Sequence, residues 1–106
     1  MSTELQTLLA DLHTRLRACY GPRLSRVVLF GSQARGDAAP DSDVDVLVVL
    51  RDAASAMVEI ERTGELVADI SLRYDRVVAC VFESESNYCN LQSPLLLNVR
   101  REGLAL

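Results

Sequence analysis

With 106 residues, 49% of them hydrophobic and 25% charged, the chain is sized for one domain over residues 1–106, and its apolar content can fill a two-layer core. A net charge of −4 disfavours bulk attraction to a phosphate backbone, and 5% aromatics with no Trp leave little surface for stacking bases, so direct nucleic-acid binding is not expected. All 11 basic residues are Arg, which excludes lysine chemistry, including the phosphate-binding Lys of a Walker loop.

The first residues, Met1-Ser2-Thr3-Glu4, lack the basic-then-apolar order of a signal peptide, and no apolar run reaches the length of a membrane span. Over residues 3–20, Leu5, Leu8, Leu9, Leu12, Leu16 and Cys19 recur at spacings of three and four. This predicts a one-sided helix capped by Ser2 or Thr3 and stopped by Gly21-Pro22. Residues 26–30 are a β-branched run ending at Gly31 and read as a buried strand. Residues 37–42 are loop by composition, with Asp41 solvated or capping, and residues 44–50 form a second strand.

Residues 53–73 have helical propensity, with Met57, Ile60, Val67 and Ile70 as the inner face; Gly64 weakens the helix by about 1 kcal/mol against Ala. Residues 76–82 read as a third strand, and Ser84 caps a short helix through Asn90. Ser93-Pro94 opens a last helix in the cap-then-N1 order, Gly103 closes it, and residues 103–106 add a short strand. The three cysteines form no CxxC pair; Cys19 and Cys80 read as core fillers, and the pattern fits a reducing, cytoplasmic setting. The order of elements predicts an α/β (α+β) fold, a mixed β-sheet with helices packed on one face. Its short exposed sheet edge leaves the chain open to self-association or to a partner.

The stretch from Leu29 to Gly36, followed by Ser42-Asp43-Val44-Asp45-Val46, carries the chemistry. Asp43 and Asp45 are two apart on a strand, so both carboxylates project from one face. At about 6 Å and an effective dielectric near 20, two such charges repel by roughly 3 kcal/mol. With no Lys in the chain and only Arg35 and Arg51 nearby, a bound Mg²⁺ is the natural relief, because hard cations select carboxylate oxygens and keep positions for a phosphate. Gly31 allows close approach of backbone to a ligand, and Ser32 begins a helical turn whose N–H groups face an anion. Arg35, one turn on, reads either as a bidentate phosphate ligand or as a surface ion pair with Asp37.

Gly31-Ser32, ten intervening residues, then Asp43-Val44-Asp45 resembles the signature of the polymerase-β-like nucleotidyltransferase superfamily. The fuller run from Phe30 to Gly36 with residues 42–46 looks like its minimal prokaryotic branch, the MNT proteins, which are often paired with a HEPN-domain toxin. The resemblance implies the polymerase-β-like nucleotidyltransferase fold, ATP as donor, Mg²⁺ held by Asp43 and Asp45, and a triphosphate held by Gly31 and Ser32 with Arg35 assisting. It also implies an antitoxin that adenylylates a tyrosine of its toxin. Two alternatives stand beside this: a degenerate transferase that neutralises its partner by binding, and a small-molecule adenylyltransferase, for whose usual extra helical domain 106 residues leave no space. One position departs from the pattern. The family's third carboxylate belongs on a later neighbouring strand, yet residues 76–82 hold no acid; Asp75 and Glu83 stand at the two ends. Loss of that base would slow transfer by about 10²–10⁴-fold.

Overall fold

The computed structural model describes residues 1–39, 42–52 and 55–106, so the reading of Asp41 and a helix start at residue 53 lie outside the described residues. Helix α1, Thr3–Tyr20, begins where the Ser2 hydroxyl accepts the Leu5 N–H and ends at Gly21 with φ 55°. Its leucine stripe is buried as expected. Cys19 is exposed, contrary to its reading as a core filler; one residue further round the helix, Tyr20 turns its ring inward and takes that place.

A 3₁₀ turn, Gly21–Arg23, leads into β1, Leu24–Phe30, and the short helix α2, Ser32–Arg35, leads towards β2, Val44–Leu50. Helix α3, Ala56–Tyr74, is followed by β3, Val78–Ser84, then α4, Glu85–Asn90, α5, Pro94–Glu102, and β4, Leu104–Ala105. The four strands form one sheet in the order β3-β2-β1-β4. The pairs β1–β2 and β1–β4 are antiparallel, and β2–β3 is parallel. The mixed sheet expected from the sequence is therefore present.

The expected one-sided cover holds only for the long helices. Val27, Leu29, Val46 and Val48 face α1 and α3, whereas Val28, Leu47 and Val49 pack against Tyr88 of α4 and Leu96 and Val99 of α5. Short helices thus cover the second face, which is why β2 is apolar at every position from Val46 to Leu50. β3 begins two residues later than expected, because Asp75 caps α3 in the left-handed conformation and the chain needs the next residues to turn.

Helix α3 is rotated from its expected setting. Met57 and Ile60 are 80% and 57% exposed, while Glu59, Thr63 and Ile70 are buried and Val67 packs at the core's edge. Glu59 makes this setting affordable: Tyr20 Oη donates to it at 2.7 Å and Arg62 Nε at 3.0 Å, and the Thr63 hydroxyl donates to the Glu59 carbonyl at 2.8 Å. Lower down, Asp11 accepts from Arg15, Arg73 and the Tyr74 hydroxyl, tying α1 to α3. No described helix is long and apolar enough to cross a membrane.

Candidate active site

The site forms where β1 ends. Gly31 has φ 76° and ψ −158°, a backbone region open in practice to glycine alone, and its carbonyl accepts the N–H groups of Ala34 (3.1 Å) and Arg35 (3.2 Å) to start α2. Gly36, at φ 80°, closes the turn after Arg35. A helix start leaves its first N–H groups without partners inside the helix, and here they belong to Ser32 and its neighbours.

The register carries Asp45 to this turn. Phe30 pairs with Asp45 across β1 and β2, so Asp45 lies one residue from Gly31 at the end of the adjacent strand. A Cβ placed on Gly31 would stand 2.5 Å from Asp45 Oδ2. Glycine is thus required here by φ, and a larger residue would also make the Asp45 carboxylate turn aside. Asp45 shares its face with Leu47 and Val49 and is half-buried, whereas Asp43, just before the strand, is exposed. Burial, and then the charge of Asp43, hold the Asp45 carboxyl above the usual aspartate range. Among the described residues neither Asp43 nor Asp45 has an Arg or His partner within 4.0 Å.

Arg35 is engaged elsewhere: its Nε lies 3.2 Å from Asp37 Oδ2 and its Nη1 3.5 Å from Glu102 Oε2 of α5. Of its two readings, the ion pair is the one the geometry displays. Ser32 is half-buried, and its carbonyl accepts the N–H groups of Gly36 and Asp37.

Neither end acid of the third strand stands beside Asp45. The parallel register sets Ala79 next to Asp45 and Glu83 next to Val49, four residues and about 13 Å along the strand. Glu83 accepts from Asn87 Nδ2 at 2.8 Å, and Asp75 is the cap of α3, outside the strand. Among the described residues no group of three or more His, Cys, Asp or Glu side chains is placed to hold a metal ion. Two residues the sequence reading passed over do reach the site. Gln33 Nε2 and Arg76 Nη2 both donate to the Ser42 carbonyl, at 3.1 and 3.2 Å. Gln33 lies inside the motif, but nothing in a single sequence pairs Arg76 with a loop 34 residues away.

The arrangement joins a glycine-dependent turn to two carboxylates that no described side chain neutralises, and comparison with known proteins places the chain in a family. The profile of the nucleotidyltransferase domain matches residues 10–92. A protein adenylyltransferase MntA of Thermococcus cleftensis is 36% identical over 81 residues, covering 76% of this chain and 80% of that protein. A Methanocaldococcus jannaschii protein provisionally named a protein adenylyltransferase is 34% identical over 70 residues, 66% of this chain; the chain spans only 64% of that relative's length. Among solved structures, one provisionally assigned as a minimal nucleotidyltransferase has a TM-score of 0.62 at 29% identity, covering 96% of this chain and 95% of that one. The fold is shared too with a chain from the complex of tri-AMPylated Shewanella oneidensis HEPN toxin with MNT antitoxin (TM-score 0.58, 20% identity, 94% of this chain and 69% of that chain). The chain belongs to the nucleotidyltransferase domain family.

Proposed function

We propose that residues 1–106 form a Mg²⁺-dependent nucleotidyltransferase domain that uses ATP to adenylylate a protein hydroxyl, and that the chain serves as the antitoxin of a HEPN-type toxin in the cytoplasm. The observation that carries this reading is Asp45 pressed against Gly31, with Asp43 beside it and no described cation on either. Both carboxylates fit a hard divalent cation, which completes its shell with water and phosphate oxygens rather than with a full set of side chains. When bound there, Mg²⁺ supplies charge neutralisation at the phosphates. Gly31 lets the triphosphate approach the backbone, and the N–H groups at Ser32 face its oxygens. Arg35 joins them by leaving its exposed ion pairs with Asp37 and Glu102, a small loss in water. The acceptor oxygen then bonds to the α-phosphorus, the α–β phosphoanhydride breaks and pyrophosphate leaves, the acceptor's proton passing to water or to a base on the partner.

A second reading is favoured by Ala79, which stands where a third carboxylate would adjoin Asp45. On that reading the chain binds Mg–ATP but neutralises its partner by occlusion. Incubation with labelled ATP, Mg²⁺ and the co-expressed HEPN-type partner separates the two. Label on the partner, lost in Asp43→Asn, supports transfer; a tight unlabelled complex overturns transfer in favour of occlusion.

A further inference from the structure

We infer that Gln33 and Arg76 are positioning residues for the carboxylate pair: by sharing the Ser42 carbonyl they hold the backbone of Asp43 against the Gly31–Ser32 turn. The inference rests on the metal-binding reading of Asp43 and Asp45 and names what keeps that pair in place.

Asp43 is exposed and lies just before β2, and among the described residues no cation pairs with its carboxylate. Its order must therefore come from the backbone. The Ser42 carbonyl, immediately before it, has two lone pairs, and both are addressed from distant parts of the chain. One donor is Gln33 Nε2 at 3.1 Å, carried by α2, the same turn that begins at Gly31-Ser32. The other is Arg76 Nη2 at 3.2 Å.

Arg76 is aimed at this carbonyl by the way α3 ends. Asp75 takes the left-handed conformation (φ 51°, ψ 46°), and the Arg76 N–H closes back on the Ser71 carbonyl at 3.1 Å. The next residue, Val77, accepts the Val44 N–H at 2.8 Å, so the chain on both sides of Asp43 is fixed by the same connection between α3 and β3. The placement has a cost: Arg76 Nε is buried with no hydrogen-bond partner among the described residues. Gln33 thus couples Asp43 to the nucleotide turn, and Arg76 couples it to the strand beside Asp45.

The test is Mn²⁺ binding to the full chain, read by electron paramagnetic resonance, with thermal midpoints measured alongside. Arg76→Ala and Gln33→Ala are each made with Asp43 present and on an Asp43→Asn background. Outer groups that orient a metal ligand change affinity by about 10-fold or more when removed. Arg76→Ala is therefore expected to weaken Mn²⁺ by on the order of 10-fold, and Gln33→Ala by somewhat less, with Arg76→Lys recovering part of the loss. On the Asp43→Asn background neither change should weaken binding further, a coupling that a general loss of structure would not produce. Equal weakening on both backgrounds overturns the inference. So does unchanged binding in Arg76→Ala and Gln33→Ala while Asp43→Asn lowers it, and then the metal-site reading survives alone. A wild-type chain that binds no Mn²⁺ overturns both. If Arg76→Ala does not fold, Gln33→Ala on its half-buried turn decides the question.

Discussion

Glu59 and Asp45 are both shielded from water, and the fold treats them in opposite ways. Glu59 is 3% exposed. Burial pushes its pKa up, but the Tyr20 hydroxyl, Arg62 and Arg23 more than offset that and leave it below the ordinary glutamate range. Asp45 is half-buried; burial and the neighbouring Asp43 both push it up, and no described cation answers them. The fold can surround an acid with donors, as it does at Glu59. At Asp45 it brings a second acid instead, a charge that the proposed cation would balance.

The largest expected effect breaks the functional half of this contrast. Asp45→Asn should lower partner labelling by about 10²–10³-fold, the usual scale for losing a charge-stabilising group, while the thermal midpoint stays level or rises because an unpaired carboxylate is gone. A fall in both would make Asp45 structural, like Glu59. Glu59→Ala should do the reverse: on the order of 3 kcal/mol lost in urea unfolding, because Tyr20 and the arginines lose their shared acceptor, with Mg–ATP affinity of the folded protein unchanged.

Ala79→Asp sharpens the contrast from the other side. It sets a third carboxylate beside Asp45 in register, and labelling should rise by on the order of 10-fold, less than a fully oriented base contributes. No rise, with the fold intact, would argue that the partner already supplies the base. The smallest effect is a pH dependence of the metal-free chain. The raised pKa of Asp45 means that the folded state holds its proton more firmly than the unfolded state. Its contribution to stability therefore falls as pH rises from the ordinary aspartate range through the raised value, and Asp45→Asn removes that slope. Glu59 has the opposite sign: its contribution is present above the ordinary glutamate range and is lost as pH falls through its depressed value. Unfolding curves of the two variants across the acid range check both signs.

Much of the site could be read before the fold because it is local. The β-branched run into Gly31 fixes a strand end by backbone geometry alone, and the spacing of Asp43 and Asp45 keeps the second acid near the first, though Asp43 falls just before the strand. The two central strands and the caps Ser2, Ser84 and Ser93 follow from equally local chemistry. What escaped depends on partners distant in sequence. The setting of α3 is not legible in the sequence, because counting apolar positions cannot see that Tyr20, 39 residues away, satisfies a buried Glu59. Cys19 lies outside the core for a related reason, since Tyr20 has both a larger ring to bury and a hydroxyl with a use. The second helical layer did leave a trace, the unbroken apolar run from Val46 to Leu50, which means burial on both faces. Arg76 left none, because its proposed role exists only once α3 has folded back beside β3.

The most direct measurement is calorimetric titration of ATP into the chain, with and without Mg²⁺, for the wild type and Asp45→Asn. The account predicts binding that needs Mg²⁺ and is lost in Asp45→Asn while that variant remains folded. ATP binding that is indifferent to the metal, or that survives Asp45→Asn unchanged, would contradict it.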